Sequence, residues 1–356
     1  MSSVRDYFFL IALVGNYAAL TSYYGLDAEN DILPVVVALL SYSFIYFLTI
    51  PGIIQIIAIP IYKNGYIFTV VFCILMVIYL ILWYLVTGVA TNLNFDLEKV
   101  YDFRETNAEL ADVGFAAYLN SWVQKIFNVF LIAFFLSQRR YGYVLLFVFV
   151  QIFFFGVSAH KAVLGMPVLV IGVWYLARSP ARTSTFLWLF SVMILLTLFQ
   201  YMYTNDIFLS SLLIRRLFFV PAFLSNAYMD FFSINEYVTW SNSILKYFLE
   251  YPYDLPISYV VGRYLGDSTL GANNGFISSG YAHAGIVGTL IYSFVLAYII
   301  RLLDHIVKTG TPLWLVLALT IIPIYGTITS SDLLTTLLTH GLLVSLLVLL
   351  LIRKQK

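Results

Sequence analysis

Apolar residues along this chain come in long runs, separated by short polar connections and by two longer ones. Ten runs can be marked, at roughly 7–25, 33–61, 66–90, 115–137, 141–158, 161–177, 184–204, 276–300, 312–330 and 333–352. About 20 apolar residues let an α-helix cross the hydrocarbon layer of a bilayer. The pattern therefore predicts an all-α, polytopic integral membrane protein with about 10 transmembrane helices. The second run is long and carries Pro51-Gly52, so it is predicted to kink there or to end in a helix lying at the interface. The fifth and sixth are short for full spans. The first run follows Met1 to Asp6 with no clear small-residue cleavage site, and is expected to be a span rather than a removable signal peptide.

The connections carry a sidedness signal. Taken alternately from the N-terminus, they hold Arg5, Lys63, Arg139, Arg140, Arg178, Arg182, Arg301, Lys308, Arg353, Lys354 and Lys356. Only two acids, Asp6 and Asp304, accompany these eleven cations; the other sixteen of the eighteen acids lie on the opposite side. Cytoplasmic loops collect Lys and Arg, so both termini are expected in the cytoplasm, which requires an even number of spans. The chain reads as one transmembrane domain, 1–356, with two larger outer segments, 91–114 and 205–275. The second is too long for a bare connection. Its apolar stretches, Ile207 to Leu213 and Leu217 to Leu224, look amphipathic and are expected to form short helices at the outer interface.

Composition supports this and excludes other classes. Hydrophobic residues make up 62% of the 356, charged residues 10%, and mean hydropathy is +0.91, values a water-soluble globule could not accommodate. A net charge of +1 with no basic block excludes nucleic acid as a partner. The single cysteine, Cys73, cannot form an intramolecular disulfide. There is no internal repeat, which weighs against a transporter built from two inverted halves.

Cations on the outer side break the charge rule and are the first candidates for chemistry. Lys161 follows His160 in the tight connection between the two short spans, where an ionisable group is expensive and usually faces a protein cavity. An anion site is one reading; snorkelling to outer phosphates is the other. Lys125 shares a helical stripe with Ser121, Gln124 and Asn128, for which a structural hydrogen-bond network is the plainer account. Arg215 and Arg216 lie between apolar flanks in the large outer segment, and Arg263 follows later; guanidinium forks suit phosphate oxygens. Arg104 stands among Asp102, Glu105 and Glu109, which favours a surface charge cluster. A loop carboxylate would serve as a general base. Spacing does not choose among Asp206, Asp230, Glu236, Glu250, Asp254 and Asp267, although Asp230 and Glu236 sit in an aromatic-rich stretch. The four scattered histidines and the absence of HExxH, DxD or Walker-type patterns point to no metal and no nucleotide cofactor.

The run from Asn273 to Gly288, NNGFISSGYAHAGIVG, opens the eighth predicted span and resembles the Wzy family of oligosaccharide repeat-unit (O-antigen) polymerases. The Ser158-to-Lys161 hairpin, the RLFFV segment from Arg216 to Val220 with Pro221, and the layout with one large outer segment are similar too. As layout the resemblance covers nearly the whole chain, and as motif about thirty residues. It implies a GT-C-like architecture shared by O-antigen polymerases and ligases, in the bacterial inner membrane, with an active site facing the periplasm. It implies an inverting glycosyltransferase whose substrates are undecaprenyl-diphosphate-linked oligosaccharides and which needs no cofactor. A chain-length regulator and a flippase would belong to the same pathway. Asn273 and Asn274 would line the outer mouth; Lys161, Arg215, Arg216 and Arg263 would bind diphosphate, with Lys125 and Arg104 as further candidates for binding diphosphate or sugar. Asp230, Glu236 and His283 are the candidates for proton transfer.

The sequence departs from the pattern twice. Ligases carry a His-Asn pair where Asn273-Asn274 aligns, and Lys161 stands where Arg is usual. O-antigen ligase and lipid-linked oligosaccharide flippase remain as alternatives.

Overall fold

A computed structural model describes residues 3–27, 30–57, 59–96, 114–177 and 182–353. Among them every regular element is helical. We number the helices α1 (Val4–Leu26), α2 (Leu33–Leu48), α3 (Gly65–Val86), α4 (Phe115–Ser137), α5 (Tyr141–Ser158), α6 (Lys161–Leu176), α7 (Arg182–Thr204), α8 (Ser210–Ile234), α9 (Ile257–Tyr264), α10 (Phe276–Lys308), α11 (Leu313–Thr329), α12 (Leu333–Leu338) and α13 (Leu342–Leu351). Seven helical stretches are long and apolar enough to cross a membrane: α1, α3, α4, α5, Leu187–Thr204 of α7, α8 and α10. The protein is thus an all-helical polytopic membrane protein. Helices α2, α6, α11 and α13 are apolar but shorter.

All ten predicted runs contain a helix, with four differences of detail. Helix α2 stops at Leu48, three residues before Pro51-Gly52, where Gly52 adopts a φ of +98°. The tenth run is broken into α12 and α13, because Gly341 has a φ of +78° and a side chain there would meet Ile126 and Trp122. The short interfacial helices expected near the start of the large outer segment are instead one continuous 25-residue helix, α8. Its first ten residues are π-helical. The wider turn places Pro221 at the start of the regular α-helix, where a missing N–H does no harm. Asp206 precedes it and Glu236 follows it.

The fourth difference concerns α10. Its 33 residues are not one straight rod. The Thr289 hydroxyl donates to the Ile277 carbonyl at 3.1 Å, across twelve positions. Those positions would lie about 18 Å apart along a straight α-helix. The chain reverses at Ala284 and Gly285, where φ is −158° and +58°. Glycines at 280 and 288 make the reversal possible: a side chain at Gly288 would strike the Gly280 carbonyl, and one at Gly280 the Thr289 backbone. Residues 276–283 therefore form a short arm folded back on the rest of the helix.

The chain divides into two compact units. Unit 1 comprises 1–57, 183–304 and 324–334. Helices α1, α2 and α8 pack together there, and Phe8, Ile45 and Phe232 are among their fully buried side chains. The Tyr42 hydroxyl donates to Asn16, in a π-turn of α1, at 2.8 Å. Ser3 and Asp6 cap the N-terminus of α1 reciprocally. Asp304 accepts a further hydrogen bond from the Val4 N–H at 2.6 Å. Most of α7 is apolar on every side and exposed on nearly all of it, Trp188 and Phe199 at 68% each. A surface of that kind is stable against acyl chains and not against water.

Unit 2 comprises 58–182, 305–323 and 335–356. Helix α4 is its buried centre, packed by α3, α5 and α6, with Val129 to Ala133 fully covered.

Candidate functional site

Two polar clusters interrupt this apolar protein, one in each unit. In unit 2, Gln124 and Asn128 of the stripe predicted on α4 belong to a hydrogen-bond network, whereas the buried Ser121 hydroxyl has no hydrogen-bond partner among the described residues. Residues Val123 to Phe127 form a π-turn, in which the Asn128 N–H reaches back to the Val123 carbonyl. The Gln124 carbonyl, bypassed by that bond, accepts from Gln151 Nε2 at 2.9 Å. Gln151 also donates to the Val163 carbonyl, and its own carbonyl accepts from Asn128. Gln124 Nε2 donates to the Tyr84 hydroxyl at 2.7 Å, and that hydroxyl donates to Asn120 at 3.0 Å. All five side chains are buried. Lys125 is half-buried in the same π-turn and lies close enough to His340 to act on it electrostatically.

The cluster in unit 1 is built around the reversal in α10. Breaking the helix there frees carbonyls that an intact helix would use. The Ala282 and His283 carbonyls accept from the N–H groups of Val238 and Thr239, at 2.9 and 3.0 Å. Thr239 and Trp240 both take positive φ, +49° and +57°, a costly backbone for residues with side chains. That backbone aims the Trp240 N–H at His283 Nδ1, at 3.1 Å. The indole stacks on the imidazole, 5.0 Å between centroids and 14° between planes. With Nδ1 accepting, the neutral imidazole carries its proton on Nε2, which lies 3.9 Å from Asp332 Oδ2. The same oxygen accepts from the Tyr292 hydroxyl at 2.9 Å, and Tyr292 in turn accepts from Trp240 Nε1–H at 3.1 Å. The Leu334 N–H holds Oδ1 at 2.8 Å. His283 is 2% exposed at its side chain and Asp332 26%. The result is a partly exposed carboxylate held by hydrogen bonds from Tyr292 and the Leu334 N–H, with the imidazole beside it.

Of the three residues proposed for proton transfer, only His283 belongs to this cluster, and its Nδ1 lone pair is occupied. Asp230 on α8 and Glu236 just beyond it are exposed, and neither carboxylate is hydrogen-bonded to the cluster. The sequence reading missed Asp332 because it searched for a base only in the large segment. The available signal was an acid in the short connection between the last two apolar runs, SSD from Ser330 to Asp332.

The predicted anion ligands are distributed. Lys161 opens α6 in unit 2 and is exposed; the hairpin before it is tight, with Ala159 at a φ of +51°. Arg215 and Arg216 are exposed in the π-helical start of α8. Arg215 borders an apolar cavity of about 790 Å³ within unit 1, walled by Tyr23, Ile194, Leu198, Phe219 and Phe223. Arg263, in the last turn of α9, is already engaged: its two terminal nitrogens donate to Asp254 at 2.8 and 2.7 Å. Those hydrogen bonds hold the Asp254 carboxyl below the usual carboxylate range. Nearby, burial pushes the Tyr251 hydroxyl up to about 12. Asn273 is exposed, whereas Asn274 is buried and its amide donates to the Pro221 carbonyl and to the Ser225 and Ser278 hydroxyls. Asn274 therefore clasps the α10 arm to α8 rather than lining an outer mouth. Arg104 lies outside the described residues.

No family model matches the chain, and neither the curated proteins nor the solved structures include a match. The class defined here is that of a polytopic α-helical membrane protein with an oriented carboxylate and an apolar cavity edged by arginine.

Proposed function

We propose that this protein is an inverting glycosyltransferase that polymerises undecaprenyl-diphosphate-linked oligosaccharide repeat units on the outer face of a bacterial inner membrane. The observation that carries the reading is the Asp332 site: the segment resembling the polymerases reverses at Gly285, and the arm ends with His283 against that carboxylate. In the reaction, a hydroxyl at the non-reducing end of a new lipid-linked unit attacks the anomeric carbon of the growing chain. The C–O bond to the donor's diphosphate breaks as the glycosidic bond forms, and the leaving group departs with the electron pair. Asp332 takes the hydroxyl proton. His283 and Tyr292 position its carboxylate. The arginine-edged cavity suits a donor with a polyprenyl tail and an anionic head, where Arg215 would meet charge developing on the diphosphate.

Deleting the gene in its host and resolving the surface polysaccharide on a gel tests the reading. Core carrying a single repeat unit is expected. A normal ladder would sink the proposal, and core without any repeat unit would favour the ligase or flippase instead. In a lipid-linked polymerisation assay, Arg215→Ala is expected to raise the donor KM by about 10- to 100-fold, the worth of one charge-assisted hydrogen bond.

A further inference from the structure

A second cavity, of about 800 Å³, lies wholly within unit 2. Four connections meet there: the start of α3, the α4–α5 turn, the α10–α11 turn and the end of α13. Charge counting put all four on the same, cation-rich side of the membrane, and the fold brings them to one place.

The cavity gathers three cations, Lys63, Arg140 and Arg353, and among the described residues no Asp or Glu lines it. Lys63 and Arg140 are exposed and have no ion-pair partner among the described residues. Arg353 is 3% exposed. Its Nε donates to the Leu350 carbonyl, and Nη2 to the carbonyls of Ile59 and Pro60 at 3.1 and 3.0 Å. That anchors the guanidinium and leaves Nη1 without a hydrogen-bond partner among the described residues. Ser137, Gln138 and Thr311 add neutral polar groups to the wall. Like charges held together without an acid are unfavourable until an anion joins them. Tyr66, Phe135 and Leu315 supply an apolar flank, which a free anion would not need and an acyl chain would.

We infer that this cavity binds the phosphate headgroup of an anionic glycerophospholipid, with Lys63, Arg140 and Arg353 as its ligands. Its size falls in the range of small-molecule sites, and basic pockets between helices at a cation-rich membrane face suit anionic headgroups. The inference stands independently of the glycosyltransferase reading.

The test is native mass spectrometry of the full chain in neutral detergent, titrated with phosphatidylglycerol, phosphatidylcholine or inorganic phosphate. Phosphatidylglycerol is expected to bind in preference to phosphatidylcholine and to resist displacement by inorganic phosphate. Combining Lys63→Gln with Arg140→Gln should weaken phosphatidylglycerol binding by about tenfold or more. Lys308→Gln, which removes a cation at the α10–α11 turn but not from the cavity wall, should leave it unchanged. Equal binding of the two lipids, or an unaltered double variant, would overturn the site. Equal loss in Lys308→Gln would reduce it to general surface charge, and displacement by inorganic phosphate would make it a free-anion site; either result overturns the lipid assignment. The comparison of lipids on the unmodified chain needs no variant to fold.

Discussion

The two polar clusters use the same kinds of hydrogen bond and differ in what those bonds surround. Around α4, Tyr84, Asn120, Gln124, Asn128 and Gln151 are all buried and bond to one another or to backbone carbonyls. The network contains amides and a phenol but no ionisable carboxylate, and it repairs the carbonyl bypassed by a π-turn. Around the α10 reversal, the same kinds of bond converge on Asp332, whose side chain is 26% exposed. Polarity inside apolar helices is therefore not in itself a mark of chemistry. A closed network stabilises; an ionisable group held in one orientation with one face accessible can react.

Substitutions should separate the two. The largest effect is expected for Asp332→Asn, which keeps the shape of the side chain but removes its ability to accept a proton. Polymerisation should fall by about 10²- to 10⁴-fold, with protein abundance and thermal midpoint nearly unchanged. Retained activity in a lipid-linked assay would remove Asp332 from the mechanism. Gln151→Leu addresses the other cluster. It strands the Gln124 and Val163 carbonyls at roughly 1–3 kcal/mol each. The unfolding midpoint in detergent should drop, while activity per folded molecule stays normal. If Gln151→Leu instead abolished activity at full stability, the contrast between the clusters would collapse.

A smaller effect is expected for Trp240→Phe. It preserves an aromatic face for His283 but removes the indole donor to Tyr292, a bond of about 0.5–1.5 kcal/mol. A kcat a few-fold lower with an unchanged KM would mark positioning rather than binding. Least of all is expected from Arg263→Gln, because its pair with Asp254 is exposed. The pair depresses the Asp254 pKa, so its contribution is present above the ordinary carboxylate range and is lost as pH falls through the lowered folded value. Melting curves of the parent and Arg263→Gln should differ slightly near neutral pH and converge in acid.

Much of the architecture was legible because a bilayer imposes a one-dimensional rule. Each run long enough to cross must become a helix, and all ten runs did contain one. The Ser158–Lys161 hairpin and the polar stripe of α4 were legible as well, through chain length and helical spacing. Helix α8 was not, because its first half reads as amphipathic and carries Arg215 and Arg216, while a π-helical start and an early proline leave it continuous. The site was legible only in part. His283 was visible as a histidine in a glycine-rich run. Its partners Trp240 and Asp332 come from distant positions, and Tyr292 lies on the same helix beyond the reversal, so only contact reveals them.

Sequence by itself determined that this is a polytopic helical membrane protein, which ends of its helices are rich in cations, and where backbone glycines permit close approach. These follow from hydropathy, charge and local sterics, each a property of neighbouring residues. Tertiary structure alone decided that α10 doubles back, that Asn274 is a buried clasp, that Arg263 is paired, and that Asp332 meets His283. Residues 283 and 332 are 49 positions apart. Nothing in local propensity encodes their meeting, because it depends on how a reversed arm and two connections pack against one another.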